Sequence, residues 1–150
     1  MKGEIYMTTG RFGEKFFEEK MKQQGLLTID VSGNSSYFDK DIDFLVKNEE
    51  GRTTTVEVKC DTRIHNTGNM FIEVSNPRSK GGNGWFTFIQ AEFLAYEDII
   101  NKTIYMLKVS DLKKYIAENE SNLRTAFTFD GSKGYLINVN KVRDLIYCIL

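Results

Sequence analysis

Two carboxylates and a lysine with the spacing to share one face of a hairpin and hold a divalent cation fall in one stretch, Asp41-Ile-Asp43-Phe-Leu-Val-Lys-Asn-Glu-Glu-Gly51-Arg-Thr-Thr-Thr-Val-Glu57-Val-Lys59-Cys-Asp61. It reads as a β-hairpin with arms from Asp43 to Asn48 and from Arg52 to Cys60. Glu49-Glu50-Gly51 forms the turn, and a glycine in third place suits a three-residue loop that needs a left-handed residue. With Asn48 facing Arg52, Asp43 stands opposite Glu57 and Asp41 opposite Lys59. Side chains alternate along a strand, so Asp43, Glu57 and Lys59 share one face while Phe44, Val46, Val56 and Val58 share the other. Like charges opposed in this way destabilise a sheet. A divalent cation between them reverses the sign, because hard cations take carboxylate oxygens as ligands. Lys59 then points at whatever the cation holds.

An Asp that opens a strand, followed across a hairpin by Glu-x-Lys among β-branched residues, resembles the PD-(D/E)xK nuclease superfamily. Asp43 and Glu57-Val-Lys59 carry the resemblance, and Ile42 stands where the family name has Pro. The resemblance spans roughly residues 8 to 109 and implies an α/β fold with a restriction-endonuclease-like core. It implies a metal-dependent deoxyribonuclease in which Asp43, Glu57 and the helical Glu14 of Gly10-Arg-Phe-Gly-Glu14 hold Mg²⁺, with Mn²⁺ substituting. A backbone carbonyl near Val58 would complete the set. Lys59 would orient or deprotonate the attacking water, or neutralise charge on the phosphoryl oxygens. Two further residues take accessory roles by the same resemblance: Glu73 on the strand that follows and Gln90 near the attacking water. Asp41, in the alternating acidic run before the hairpin, is a stand-in for Asp43 as ligand. Glu14 and Glu73 also read as ordinary solvent-facing residues. The small size looks most like Holliday junction resolvases and phage or mobile-element endonucleases. That implies branched or duplex DNA as partner and a homodimer, since cutting two strands symmetrically needs two sites.

The elements that must position these residues read as follows. Residues 9–24 form a helix, with Phe12, Phe16, Phe17 and Met21 as its apolar stripe and Gly25 as its stop. Residues 26–31 are a first strand, 61–68 a loop that holds Arg63 and His65, and 69–74 a third strand after the hairpin. The segment Asn76-Pro-Arg78-Ser-Lys80-Gly-Gly-Asn-Gly-Trp85 is the most loop-like. Its Arg78 and Lys80 suit contact with a nucleic-acid backbone, and equally a plain surface loop. Trp85, followed by Phe86 and Phe88, reads as core, with stacking on a base as the alternative. Ile89, Phe93, Tyr96 and Ile100 predict a second major helix over 88–100. A strand over 103–109, a helix over 110–118 capped by Ser110, a hairpin of 124–129 with 135–139, and a C-terminal strand or short helix over 142–150 complete the chain. The expected architecture is a single domain with a central mixed sheet flanked by helices.

Composition narrows the function classes. The 150 residues are 41% hydrophobic and 27% charged with a net charge of −1, so no global basic field draws in nucleic acid. Cys60 and Cys148 are expected as reduced core residues, and with one histidine they make no zinc site. Asp39, Asp41 and Asp43 alternate, but the glycine and final glutamate of a calcium loop are missing. No Walker A or G-x-G-x-x-G motif is present. With no signal-peptide core and no membrane-length apolar run, a cytoplasmic protein of bacterial, phage or mobile-element origin is expected. Two alternatives stand beside the nuclease: an inactive nuclease-fold module that binds nucleic acid or a partner protein, and a plain α/β domain.

Overall fold

The computed structural model describes residues 2–38 and 40–150, with the side chains of residues 2–9, Phe38 and Lys80 outside that description. Asp39 of the alternating acidic run lies outside the described residues. The first helix, α1 (Lys2–Gln23), is longer than its apolar stripe predicts. It ends as the sequence asks. Gly25 takes φ +76, its N–H donates to Lys22 O, and Leu26 N–H donates to Met21 O. This double closure satisfies carbonyls that the last helical turn leaves open.

Strands β1 (Leu27–Asp30), β2 (Phe44–Lys47), β3 (Thr53–Asp61), β5 (Phe93–Asp98), β6 (Thr103–Lys108) and β9 (Ile146–Ile149) form a six-stranded sheet in the order β1-β2-β3-β5-β6-β9. The β3–β5 pair is parallel and the others are antiparallel, so the sheet is mixed. A second sheet, β4-β8-β7, is built from β4 (Asn69–Ser75), β8 (Lys133–Asn138) and β7 (Arg124–Phe127). Two short helices, α3 (Ile64–Thr67) and α4 (Trp85–Phe88), lie on either side of β4 in the chain, and α5 (Val109–Asn119) follows β6. A one-turn helix, α2 (Ser35–Phe38), precedes β2. No helix among the described residues is long and apolar enough to cross a membrane.

The two faces of the six-stranded sheet bury different things. Phe44, Val46, Val56, Val58, Ala95, Ile104 and Met106 pack against Phe17 and Met21 of α1. On the other face Leu94, Tyr96 and Leu107 pack with Met70 and Ile72 of β4, Tyr135 and Ile137 of β8, and Leu112 and Ile116 of α5. The hairpin register is the expected one: Phe44 faces Val56 and Lys47 faces Thr53, and Asn48 N–H donates to Arg52 O. Gly51 closes the turn at φ +83.

One element departs from the sequence reading. The helix expected over 88–100 is instead a single turn, Trp85–Phe88, followed by the central strand β5. The apolar spacing fits a helix, but Phe93-Leu-Ala-Tyr-Glu-Asp98 is a short run buried almost throughout, as a strand between two neighbours must be. Asp98 ends it by accepting the N–H groups of Ile100 and Asn101 in the turn to β6. Smaller differences follow the same lines. β3 runs on to Asp61, residues 64–67 form a helical turn, and the chain ends as a 3-10 turn (Arg143–Leu145) leading into β9. The α5 helix starts at Val109 with no side-chain cap from Ser110. Both cysteines are free.

The approach of α1 to the sheet depends on glycine. A Cβ on Gly13 would overlap Cys60 Sγ and lie 2.6 Å from Glu97 Oε1, whereas a Cβ on Gly10 meets nothing within 4 Å among the described residues. Gly10→Ala is therefore expected to stabilise the chain by up to ~1 kcal/mol through helix propensity. Gly13→Ala is expected to destabilise it by about 1–3 kcal/mol through overpacking. Urea unfolding of the two variants checks this, and equal effects at the two positions would refute the close-packing account.

Candidate functional site

Asp43 sits where the hairpin ladder stops. The rungs end at the Phe44–Val56 pair. One residue earlier, Asp43 N–H donates to Val56 O at 2.9 Å, and Asp43 Oδ2 accepts the N–H of Val58 at 2.9 Å. The direct Asp43–Glu57 rung expected from the register is thus replaced. The Asp43 carboxylate takes over the acceptor place that a further rung would fill, which fixes the side chain against β3.

Glu57 lies on the central strand with 4% of its surface exposed. Its Oε1 receives Lys59 Nζ at 3.1 Å, and its Oε2 is buried with no hydrogen-bond partner among the described residues. Burial pushes its carboxyl up to about 8, and Asp43 and Asp41 push the same way while Lys59 opposes them. Desolvation therefore outweighs the ion pair, as it commonly does for buried charges.

The other predicted acidic residues gather here. Glu14, on α1, is half-buried, and its carboxyl is raised first by burial and then by Asp43 and Asp30. Asp41 holds a left-handed backbone at φ 50. Burial raises its carboxyl, Asp43 and Glu73 add to the rise, and Lys59 lowers it. Asp43 and Asp41 thus repel Glu57 beside Lys59, Glu73 repels Asp41, and Glu14 is coupled to this group through Asp43. The Lys59 ammonium also lies 4.9 Å from the centre of the Trp85 ring. Among the described residues, no three His, Cys, Asp or Glu side chains already stand in a metal-ligating arrangement. Glu57 is turned to Lys59 and Asp43 to the backbone of Val58.

Two predicted residues, Gln90 and Arg78, are not part of this cluster. Gln90 has an exposed side chain, and its N–H donates to Lys40 O. Arg78 is exposed and pairs with Asp130 at 3.6 Å. The side chain of Lys80 lies outside the described residues. Glu73 is neither a plain solvent-facing residue nor turned into the acidic cluster. Its Oε1 accepts Trp85 N–H and Asn76 Nδ2, both at 3.4 Å, which clasps the two ends of the glycine-rich loop.

Sequence reasoning missed a second buried carboxylate. Glu97, on β5, is fully buried, accepts Cys60 Sγ–H at 3.2 Å on Oε1, and has no partner for Oε2 among the described residues. Burial pushes it up to about 8, against the Cys60 hydrogen bond. It lies on the α1 side of the sheet, where a strand reading of 93–98 would have placed it beside Cys60. Tyr96, on the other face, donates to Asp61 Oδ2 and accepts Phe71 N–H, linking the two sheets beside the site.

The chain matches no family model, no curated protein and no solved structure.

The Glu97 carboxyl gives a pH prediction with a definite sign. Folding raises it from 4.5 to about 8, so the folded chain holds a proton that the unfolded chain releases. Its stabilising contribution is complete below the unfolded value and is lost as pH rises through about 8. In EDTA, stability should fall across that window, and Glu97→Gln should make the fall shallower by up to ~1.4 kcal/mol per pH unit. Urea unfolding between pH 5 and 9 measures it, and an unchanged slope in the variant would show that Glu97 is not protonated in the fold.

Proposed function

We propose that this chain is a divalent-metal-dependent deoxyribonuclease that hydrolyses phosphodiester bonds, in keeping with the resemblance of Asp43 and Glu57-Val-Lys59 to the PD-(D/E)xK pattern. The observation that carries the reading is the Glu57 carboxylate, buried beside Asp43 with one oxygen on Lys59 and the other unpartnered among the described residues. An uncompensated buried carboxylate is costly. A hard cation accepts that kind of oxygen, and the donor set of Glu57, Asp43 and the half-buried Glu14 suits Mg²⁺ or Mn²⁺ in charge and type. Asp41 and Glu73 add negative potential that favours a cation.

When bound, a divalent cation supplies charge neutralisation at the phosphate and makes a neighbouring water more acidic. The chain's own residues supply the rest. Asp43, braced by Val58 N–H, and Glu57 would hold the cation from adjacent strands, and Glu14 would close on it from α1. Lys59 is already within hydrogen-bond distance of Glu57, so its ammonium reaches the oxygens of a phosphate placed there and offsets the charge that develops on them. This role needs only a charged lysine. Branched or duplex DNA is the proposed substrate, with a homodimer to cut two strands. The loop that bears Arg78 and Lys80 is the proposed backbone contact.

A second reading is an inactive module that binds nucleic acid or a partner protein. It is favoured by the net charge of −1 and by the hold of Lys59 on Glu57. One assay separates the two. A labelled four-way junction, linear duplex and single-stranded DNA are incubated with Mg²⁺, Mn²⁺ or EDTA. Cleavage that requires metal, and that falls by about a hundredfold or more in Glu57→Ala and Lys59→Ala, is the expected result. DNA binding without cleavage and without metal-induced stabilisation would overturn the catalytic reading.

A companion measurement does not depend on turnover. Glu57→Gln removes a buried charge, so in EDTA at pH 8 it should unfold at higher urea than wild type. Mg²⁺ at about a hundred times its Kd should stabilise wild type by ~2.7 kcal/mol and leave Glu57→Gln nearly unchanged. Equal Mg²⁺ stabilisation of both proteins would remove Glu57 from the ligand set.

A further inference from the structure

Trp85 is the only tryptophan of the chain, and the fold takes trouble to place it. Its N–H and Asn76 Nδ2 share Glu73 Oε1. Asn76 N–H also donates to Gly82 O, and Ser75 bridges Asn83, so the loop from Asn76 to Gly84 is pinned at both ends against the end of β4. A Cβ on Gly84 would lie 2.5 Å from the carbonyl oxygen of Glu73, a backbone atom that cannot swing aside. Glycine at that position permits the approach. The outcome is a ring set over Lys59 Nζ, 4.9 Å from its centre, and packed edge-on to Phe86, which is itself buried.

Lys59 therefore has two partners, and they differ in one respect. Glu57 is the same group that a cation would engage, so the ion pair and the cation compete for its oxygens. The face of Trp85 attracts an ammonium, yet it cannot ligate a hard cation and it does not titrate. A carboxylate in its place would join the competition, and an aliphatic side chain would pack without attracting. A lysine released from Glu57 has several free rotors and a strongly hydrated head that draws it into solvent. The Lys59 side chain already keeps 30% of its surface exposed.

From this we infer that Trp85 is a positioning residue that keeps the Lys59 ammonium over the site once Glu57 turns to a cation. The inference rests on the metal-dependent reading of the same site. Its mark is a requirement for a π face rather than for bulk.

Trp85→Phe and Trp85→Leu, in the full chain and checked for folding by circular dichroism, separate these. On DNA with Mg²⁺, Trp85→Leu should lower kcat about tenfold, equivalent to ~1.4 kcal/mol, with KM within about twofold, while Trp85→Phe stays within about threefold of wild type. A second measurement uses no turnover. Because Trp85 is the sole tryptophan, intrinsic fluorescence reports its surroundings, and Lys59→Met should change the emission relative to wild type in EDTA. That difference should persist at saturating Mg²⁺. Cleavage by wild type with Leu as good as Phe overturns the positioning role alone, as does a spectral difference that vanishes on adding Mg²⁺. A wild-type chain that neither cleaves DNA nor is stabilised by Mg²⁺ overturns the metal reading and this role together.

Discussion

The constraint on which the rest of this structure turns is a carboxylate taken out of water without a full complement of partners. Glu57 is held on a central strand, flanked by β2 and β5, and cannot move away from Asp43 without breaking the hairpin. An isolated strand would relieve the repulsion by slipping or twisting. Here slippage by one residue would carry Phe44, Val46, Val56 and Val58 from the α1 face to the opposite one, against the burial of that whole cluster. Apolar burial on one face therefore enforces an unfavourable charge arrangement on the other. The stability of the sheet is what holds the acidic cluster together.

The two faces share a design feature and differ in its setting. Glu97 and Glu57 are both buried, both have an unpartnered oxygen among the described residues, and both are pushed up to about 8. Glu57 lies beside a lysine and several carboxylates near a loop that is clasped but made largely of glycine and polar residues. Glu97 lies under Gly13, with a thiol as its hydrogen-bond donor and no charged partner of opposite sign among the groups that shift it. The first setting has the exchangeable partners that a ligand site needs. The second reads as a proton held in the packing between α1 and the sheet. Glu14 links the two, since its charge acts on Glu97 as well as being raised by Asp43.

What could be read from the sequence was what local chemistry determines. Gly51 in a three-residue turn fixes the hairpin, and the hairpin fixes which side chains share a face. Gly25 fixes the end of α1. The central strand β5 could not be read this way, because four apolar residues at helical spacing also fit a strand buried on both faces. Asp98 and Asn101, which make the turn after it, were the available signal. Misreading that segment hid Glu97 and the Tyr96 hydroxyl that joins the sheets. The carboxylates of the site were legible, while the contact between Lys59 and Trp85 was not, for it spans a long insertion between β3 and β5 that no periodicity describes. The Glu73 clasp escaped for the same reason: an alternating strand shows which way a residue faces, not which loop comes back to meet it.

Charge gives the arrangement its wider logic. The chain carries a net charge of −1, and Asp41, Asp43 and Glu57 lie close to Lys59 at the site. That potential disfavours the approach of a polyanion. Under the metal-dependent reading, the same cation that relieves the repulsion between Asp43 and Glu57 also reverses the local field, so metal and DNA affinity become coupled without any basic patch. Linkage makes the coupling reciprocal: DNA must raise the affinity for the cation by the factor that the cation raises the affinity for DNA. An acidic chain with one well-placed lysine is then no obstacle to nucleic-acid chemistry. Under that reading, it would make the attraction conditional on the ion that the chemistry itself requires.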